Sequence, residues 1–462
     1  MNPQVVVIGG GISGLACAYR LWQLGVPVTL LEADERTGGL IGTVEQDGFL
    51  FETGPQSFQG TDSALDLVRE LGLESDLCQA DTRAPRYVMR HGHLQELPMS
   101  PQAVLRSSLL GMGARWKLAS EALRRTRPPT EEESVAQFVR RKFGHEILEY
   151  LVAPFVSGVY AGDPEKLSLR AAFPPLDEWE RTYGSVLRGA MKSRPPKGAG
   201  QGRPPLCSFH HGMAMLTRTM AAKLGESARL GARVDTVSGN DRAGSARYQI
   251  NFIQNGHAET IEANAVVIAT PAYTASHLVS TLSAPLARAL SGIAYAGMAV
   301  VCAGYHANQI GTVMHGFGVL IPRSEKYRTL GIVWNSSLFP ERSGDGRTTL
   351  TGMIGGATDP EIVEKRDEEI LAVVLEEASR ILAITGQPIV SRVWKHPKAL
   401  PQYNLGHGHT VEMIRESERG IPGLYFAGNY LEGPSIGKCV DRGSQVAESA
   451  RAYLRDAMAK SA

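Results

Sequence analysis

The most constraining feature of the chain is a glycine-rich turn between a short β-branched strand and a helix. A predicted strand, Gln4 to Ile8, is followed at once by Gly9-Gly10-Gly11-Ile12-Ser13-Gly14, and helical apolar spacing runs from Ile12 to Leu24. In such a GxGxxG loop the first glycine permits the tight turn, the second admits a pyrophosphate, and the third lets helix and strand pack closely. A second strand, Val28 to Leu31, completes a βαβ unit that binds a dinucleotide.

Glu32 directly follows this second strand. A carboxylate there can accept hydrogen bonds from the ribose hydroxyls of an adenosine. The same negative charge disfavours a 2′-phosphate, so the sequence argues against NADP.

Two further segments favour FAD over NAD. Arg36-Thr37-Gly38-Gly39 continues the loop beyond the ribose, and near the C-terminus Leu424 to Asn429 ends a strand ahead of Pro434-Ser435-Ile436-Gly437. A helix N-terminus near Ile436 and Gly437 would stabilise negative charge at the N1/O2 edge of a reduced flavin. No second strand-GxGxxG-helix unit is present, so electrons are expected to leave to oxygen or a quinone rather than arrive from NAD(P)H.

Composition narrows the class of protein. A chain of 462 residues is long enough for two or three domains, and a formal net charge of +1 gives no global attraction to nucleic acid. The five cysteines are scattered without CxxC spacing, which predicts neither disulfides nor a zinc site and fits a reducing cytosol. We see no signal peptide and no apolar run of the ~20 residues that a spanning helix needs, so a cytoplasmic location is expected.

The pattern along the chain predicts an α/β protein with three parts. Residues 1–75, 203–270 and 390–462 are expected to form a discontinuous Rossmann-type FAD-binding domain. Residues 76–97, with a hairpin around Gly92, and 271–389, rich in alternating strands, are expected to form a sheet-based substrate domain. Residues 98–202 are predicted to be helical; they are markedly basic, with six Lys or Arg against one acid between Pro98 and Pro129.

Over nearly its full length the sequence resembles the protoporphyrinogen oxidase family of the amine-oxidase-like flavoproteins. The matching blocks are GPQSF at Gly54, PRYVM at Pro85, PFVSGVYAGDPEKLSL at Pro154, GFGVLIP at Gly316, SSLFPER at Ser336, PQYNLGH at Pro401 and GPSIGKCVDRG at Gly433. The resemblance implies non-covalent FAD and oxidation of protoporphyrinogen IX to protoporphyrin IX, with six electrons passing to three oxygen molecules and hydrogen peroxide released.

The resemblance also implies roles for particular residues. Arg86 would bind a substrate propionate, for which a planar fork donor is suited; Leu320 and Phe339 would sandwich the tetrapyrrole; and Gly158 would bring its backbone carbonyl near the substrate. Gln56 departs from the asparagine of GPNSF. Flavin contacts are expected from Gly9, Gly11, Ile12, Ser13, Gly14, Glu32, Ala33, Arg36, Gly39, Gly54, Val234, Gly428, Asn429, Ile436 and Gly437.

No side chain is assigned as a general acid or base, because hydride transfer depends mainly on the alignment of the substrate carbon with the flavin. His210, His211, His407 and His409 occur in glycine-bearing segments without carboxylate companions, which favours solvated side chains over metal ligands. Cys439 follows the flavin loop and is interpreted as a small buried side chain.

In the family the basic helical stretch lies against a membrane. Here Leu105, Leu109, Leu110, Met112 and Trp116 alternate with Arg106, Arg115 and Lys117, a mixture typical of an anionic interface, although an ordinary solvated helix face has the same composition. We therefore expect peripheral contact with the cytoplasmic membrane face. A homodimer and hand-off of the product to a ferrochelatase are left open.

Other functions stay open at this point. Coproporphyrinogen III is the nearest competing substrate, because the reacting macrocycle is the same and only the peripheral propionates differ. An amine oxidase or a carotenoid desaturase could use the same scaffold. A binding protein that has lost its flavin is a third possibility, against which the intact segment from Gly428 to Gly437 argues.

Overall fold

A computed structural model of the chain describes residues 4–98, 103–104, 107–193, 204–240, 246–342, 344 and 346–461. Its strands, in chain order, are β1 Val5–Ile8, β2 Val28–Leu31, β3 Thr43–Gln46, β4 Phe49–Glu52, β5 Phe58–Gln59, β6 Leu77–Gln79, β7 Tyr87–Arg90, β8 His93–Glu96, β9 Leu206–Phe209, β10 Ala228–Arg229, β11 Ala232–Gly239, β12 Tyr248–Gln254, β13 His257–Ala263, β14 Ala265–Ile268, β15 Tyr295–His306, β16 Gly318–Leu320, β17 Thr329–Trp334, β18 Arg347–Gly355, β19 Val390–Pro401 and β20 Leu424–Phe426.

The α-helices are α1 Ile12–Gln23, α2 Asp62–Glu70, α3 Met112–Glu121, α4 Val135–Lys142, α5 His145–Ile147, α6 Ala153–Tyr160, α7 Leu169–Ala172, α8 Pro174–Tyr183, α9 Val186–Lys192, α10 Ala214–Leu224, α11 Ala272–Leu278, α12 Ala284–Ser291, α13 Asn335–Leu338, α14 Asp367–Leu382, α15 His407–Gly420 and α16 Ile436–Ser461. A π-helical turn, Leu148–Val152, precedes α6. Short 3-10 turns occupy Glu74–Asp76, Gly225–Ser227, Ala307–Gln309, Arg323–Glu325, Pro340–Arg342 and Pro360–Glu364.

A parallel sheet of five strands, in the order β10-β2-β1-β14-β20, confirms the predicted βαβ opening. Alternate residues of β1 point to opposite faces: Val5 and Val7 pack with α1, α2, α10 and α16, while Val6 and Ile8 pack with the β11-β12-β13 sheet and α11. Both faces are covered, so all four residues can be apolar. The sheet is built from strands of both ends and the middle of the chain.

A seven-stranded mixed sheet, in the order β19-β15-β18-β17-β16-β7-β8, forms the second layer of the molecule. The predicted hairpin around Gly92 is its β7-β8 edge, and the alternating strands predicted within residues 271–389 are β15 to β18. Helix α14 covers one face through Ile370, Val374 and Ala378. The twelve-residue strand β19 pairs antiparallel with β15 and therefore belongs to this sheet, although residues 390–401 fall in the segment expected to join the flavin domain.

Helices α3 to α9 form a third body with its own apolar core, centred on Phe138, Val156 and Leu169. The prediction of a mainly helical stretch is thus confirmed for the described part of residues 98–202. None of the helices in the described ranges combines the length and the apolar character needed to cross a bilayer.

Candidate functional site: a dinucleotide cavity and an apolar helix face

The turn between β1 and α1 has the geometry of a phosphate-binding loop. Gly9 has φ +107°, and a Cβ on Gly14 would lie 1.9 Å from the carbonyl oxygen of Gly9, so neither position accepts a side chain. Around Gly11, by contrast, a Cβ would meet nothing within 4 Å. Gly11 is also the N-cap of α1 and offers no capping side chain, so the amides of the first turn are free to bind an anion.

The carboxylate of Glu32 sits at the end of β2, next to the loop. It accepts hydrogen bonds from the backbone amides of Gly10 and, at 2.9 Å, of Asp34. Burial raises the pKa of Glu32, and these hydrogen bonds counteract the rise. A carboxylate has about four lone-pair sites, so acceptor capacity remains for ribose hydroxyls.

Arg36 holds the loop of residues 36–41 in place through hydrogen bonds to backbone carbonyls of that loop. Its guanidinium donates to the carbonyls of Gly39 at 2.8 Å and Ile41 at 2.9 Å, and the amide of Gly38 donates to the carbonyl of Gly10 at 2.8 Å. Arg36 therefore ties the loop to itself, and the two glycine segments are held side by side.

The C-terminal segment is braced by two side chains of the PQYNLGH block. The Tyr403 hydroxyl donates to the carbonyl of Asn429, and His407 Nε2 lies 3.0 Å from the carbonyl oxygen of Tyr430. The rings of Tyr403 and His407 also contact each other at a tilt of 43°, with centroids 4.3 Å apart. Helix α16 then starts at Ile436, as the sequence predicts.

These segments from the two chain ends enclose one cavity of about 600 Å³. Its walls include most of the predicted flavin contacts, namely Gly9, Gly11, Ile12, Ser13, Glu32, Ala33, Arg36, Gly39, Val234, Gly428, Asn429 and Ile436. Three others lie behind the wall: Gly14 packs on Gly9, Gly54 on Leu40 and Gly437 on Thr61. The uncapped helix, the half-buried carboxylate of Glu32 and the joint contribution of both chain ends fit FAD.

Sequence reasoning missed several residues of the wall. His396, Lys398 and Leu400 of β19 line the cavity, together with Tyr273 and Tyr295. The letters WKHPKALP contain two prolines and three basic residues, so nothing in them indicates a strand. Their position follows from the pairing of β19 with β15.

Two of the predicted substrate residues meet in the structure. A Cβ on Gly158 of α6 would lie only 2.8 Å from Leu320 Cδ2, at the end of β16. On α6, Phe155, Gly158 and Val159 are exposed together, which gives an apolar helix face beside Leu320. Arg86 directly precedes β7, the strand that pairs with β16, and its guanidinium lies 5.1 Å from the ring centroid of Phe317.

Phe339 is a buried residue in this structure. Only 1% of it is exposed, and it packs with Cys78, Ala80 and Leu338 under the guanidinium of Arg342, 5.5 Å from the ring centroid. Its contact with the substrate stays a prediction.

A buried polar network lies between the two main sheets. Arg342 pairs with Glu52 and donates to Ser208 Oγ at 2.9 Å. Burial raises the pKa of Glu52, and the charge of Arg342 acts in the opposite direction. Gln56 accepts from Asn335 Nδ2 at 2.7 Å and donates to the carbonyl of Gly54 at 2.8 Å, so its side chain links the β4 loop to α13.

The histidine prediction is wrong at one position. His407 is buried in α15 rather than solvated, and burial lowers its pKa. Among the described residues no group of three or more His, Cys, Asp or Glu side chains could hold a metal ion. Cys439 is buried, as predicted, and burial raises the pKa of its thiol to about 11.

The helical body exposes apolar side chains on α3 and just beyond it. Met112 is 85% exposed, Trp116 70% and Leu123 80%. Leu109 and Leu110, which were expected to share this surface, are instead fully buried, because Leu110 joins the helical core and Leu109 packs with Val88 and Tyr150. Leu105 and Arg106 lie outside the described residues.

Comparison with known proteins gives consistent matches. The model of the family described as flavin containing amine oxidoreductase matches residues 12–450. The chloroplastic protoporphyrinogen oxidase of Nicotiana tabacum is 35% identical, covering 97% of this chain and 85% of the relative. The coproporphyrinogen III oxidase of Bacillus subtilis (strain 168) is 30% identical, covering 98% and 99%.

Solved structures agree in fold. A provisionally named protoporphyrinogen oxidase from Exiguobacterium sp. 255-15 superimposes with a TM-score of 0.82 at 24% identity, covering 98% of this chain and 99% of that one. Putrescine oxidase in complex with putrescine superimposes with a TM-score of 0.68 at 18% identity, covering 98% and 99%. These likenesses establish the α/β flavoprotein fold with mixed sheets.

Proposed function

Because the chain belongs to the flavin containing amine oxidoreductase family, we propose that it oxidises protoporphyrinogen IX to protoporphyrin IX in tetrapyrrole biosynthesis. The observation that carries the proposal is the 35% identity to a protoporphyrinogen oxidase over 97% of the chain. The exposed apolar face of α6 beside Leu320, with Arg86 directly before the adjoining strand β7, supports it.

The reaction balances as six hydrogens removed from the substrate and three oxygen molecules reduced to three of hydrogen peroxide. Bound FAD supplies a two-electron acceptor that oxygen can regenerate, so three rounds complete the oxidation. The amides at the start of α1 would hold the cofactor phosphates, Glu32 the ribose, and Gly428 to Ile436 the flavin end.

The chain's remaining task is to orient an apolar ring system. Gly158 has no side chain, so the ring could approach the backbone of α6 closely, next to Leu320, whose tip lies against the same glycine. Arg86 would bind a peripheral propionate and fix the angle at which the ring enters. No acid or base is required of the side chains, and hydride transfer needs a reacting distance of about 3–3.5 Å.

The test is to purify the protein, record its visible spectrum, and follow porphyrin fluorescence in air after adding protoporphyrinogen IX or coproporphyrinogen III. A yellow protein that oxidises the first faster supports the proposal. Faster oxidation of the second would move the chain to the activity named for its Bacillus subtilis relative. A yellow protein inert with both would reject the proposal.

Arg86→Ala tests the propionate contact separately. We expect flavin to stay bound while kcat/KM falls by the equivalent of about 1.5–3 kcal/mol, the usual cost of a lost charged hydrogen bond. Unchanged kinetics would remove Arg86 from the site.

We further propose peripheral membrane contact through the surface formed by Met112, Trp116 and Leu123. Lys117, Arg124 and Arg125 are also exposed there, and apolar side chains flanked by cations bind anionic lipid. An apolar porphyrinogen could then enter from the lipid. The homodimer and the hand-off to a ferrochelatase stay predictions.

A further inference from the structure

Lys398 differs from the other basic side chains that line the dinucleotide cavity. Arg36 is bonded to backbone carbonyls, and Arg233 pairs with Asp235 at 3.4 Å. Lys398 forms no ion pair with any carboxylate in the part of the chain that the structure describes; its ammonium instead lies 4.5 Å from the ring centroid of Tyr273. A cation held at a cavity wall by an aromatic face retains donors for an anion.

The position of Tyr273 relates Lys398 to the phosphate-binding loop. Helix α11, which carries Tyr273, begins directly after the turn Ala269 to Pro271, and a Cβ on Gly9 would lie 2.9 Å from the carbonyl carbon of Ala269. The turn before α11 therefore packs directly against the phosphate-binding loop at Gly9.

Tyr273 itself is well fixed. Its ring packs edge-on against Tyr295 with centroids 5.1 Å apart, and the Tyr295 hydroxyl accepts from the amide of Ala272 at 2.9 Å. The aromatic face under Lys398 is therefore set before any ligand binds.

We infer that Lys398 is a cofactor-binding residue that contacts the diphosphate of FAD, with Tyr273 holding the ammonium in place. FAD brings two negative charges, whereas the carboxylates of Glu32 and Asp34 on the same wall repel them. An ammonium acts on phosphate as a compact point charge and complements the amides of α1. The inference rests on the flavin part of the proposed function and not on its substrate.

The test uses apoprotein and three probes: FAD, ADP and adenosine. Lys398→Met keeps most of the aliphatic stem and removes the charge; we expect FAD and ADP to bind about tenfold more weakly and adenosine to bind as before. Lys398→Arg should restore most of the loss. The control is Lys395→Met on the same strand, because Lys395 pairs with Asp367 at 3.0 Å and is not part of the cavity wall.

Two results would overturn the assignment. Equal weakening of ADP and adenosine would mean that the substitution damages the adenosine site. Unchanged ADP binding with a shifted flavin reduction potential would place Lys398 at the isoalloxazine instead. A parent protein that binds FAD but leaves both porphyrinogens untouched would reject the substrate proposal while leaving this test intact.

Discussion

The helical body and the parallel flavin sheet distribute charge in opposite ways. In the sheet, β1 and β14 are wholly apolar and none of their residues is more than 3% exposed. In the helical body, the side chains of Lys142, Glu121 and Glu180 are at most 2% exposed, while Met112 and Trp116 face outward. The sheet follows the ordinary rule of apolar interiors, and the helical body partly inverts it.

The inversion consists of two separate features, a buried group of charged side chains and a set of exposed apolar side chains. Lys142 bridges Glu121 at 3.1 Å and Glu180 at 2.9 Å, and Arg141 also binds Glu180, so the buried charges compensate one another across α3, α4 and α8. The exposed apolar side chains have no such partner within the described chain. The buried charges affect the stability of the fold, whereas the exposed apolar side chains form a surface that can contact another body.

The largest expected effect is on Lys142. Lys142→Met leaves Glu121 and Glu180 short of a cation in a buried place, and we expect the free energy of unfolding to fall by about 3–5 kcal/mol. Urea unfolding measures the change. The control is Arg140→Met, which removes a half-exposed pair with Glu165 and should cost under about 1 kcal/mol. Equal losses in the two variants would show that the burial of the cluster carries no special weight.

Lowering the pH should weaken the contribution of the same buried cluster to the free energy of unfolding. Desolvation alone would raise the pKa of Glu180, but hydrogen bonds from Arg141, Thr126 and Lys142 outweigh it and lower the pKa to about 2. A carboxyl group whose pKa is lowered by folding stabilises the folded state at pH values above its unfolded pKa of 4.5. This stabilisation is lost as the pH falls toward 2. We expect about 3 kcal/mol to be lost in this window.

Glu52 should change the free energy of unfolding with pH in the opposite direction. Burial raises its pKa, so its contribution favours the folded state as pH falls toward 4.5 from above. Unfolding curves of Glu180→Gln and Glu52→Gln across pH 3 to 7 check both signs. Glu180→Gln should flatten the acid loss; an unchanged acid slope would contradict the assigned pKa.

Much of the fold could be predicted because local pattern and tertiary structure agree in it. The turn at Gly9 to Gly14, strands β1 and β2, and the alternating strands β15 to β18 follow from glycine placement and apolar runs. The burial of His407 and the position of β19 could not be predicted, since both depend on pairing with distant segments. The substrate role of Phe339 stays a prediction from resemblance, and the packing of its ring beneath Arg342 could not be predicted from the motif alone.

Gly158 lies in the helical body at its contact with Leu320. A substitution there should change the kinetics of the enzyme without lowering its free energy of unfolding. In Gly158→Ala the new methyl meets only the flexible tip of Leu320, while helix propensity favours alanine, so we expect the unfolding free energy to stay equal or rise by up to about 1 kcal/mol. KM for the porphyrinogen should rise severalfold because the methyl would keep the ring from approaching α6 closely. Steady-state kinetics beside urea unfolding measure both.

Gly113→Ala is the matched control for this prediction. Gly113 is exposed in α3, and a Cβ there would meet nothing within 4 Å. It should gain the same helix stability and keep its kinetics. If Gly158→Ala also kept its kinetics, the close approach of substrate to α6 would be refuted.

The smallest effect on stability is expected at the exposed apolar surface. Trp116→Ser and Met112→Ser together should change the unfolding free energy by no more than about 0.5 kcal/mol, since neither side chain is packed. Binding to vesicles of phosphatidylglycerol and phosphatidylcholine should weaken by at least about fivefold, because the apolar area that would enter the lipid is lost. Cosedimentation measures the bound fraction. Trp22→Ser, which removes an exposed tryptophan of α1, should bind vesicles like the parent; if it weakened binding equally, the surface on α3 would not be the contact, and the inverted pattern of the helical body would lack a membrane explanation.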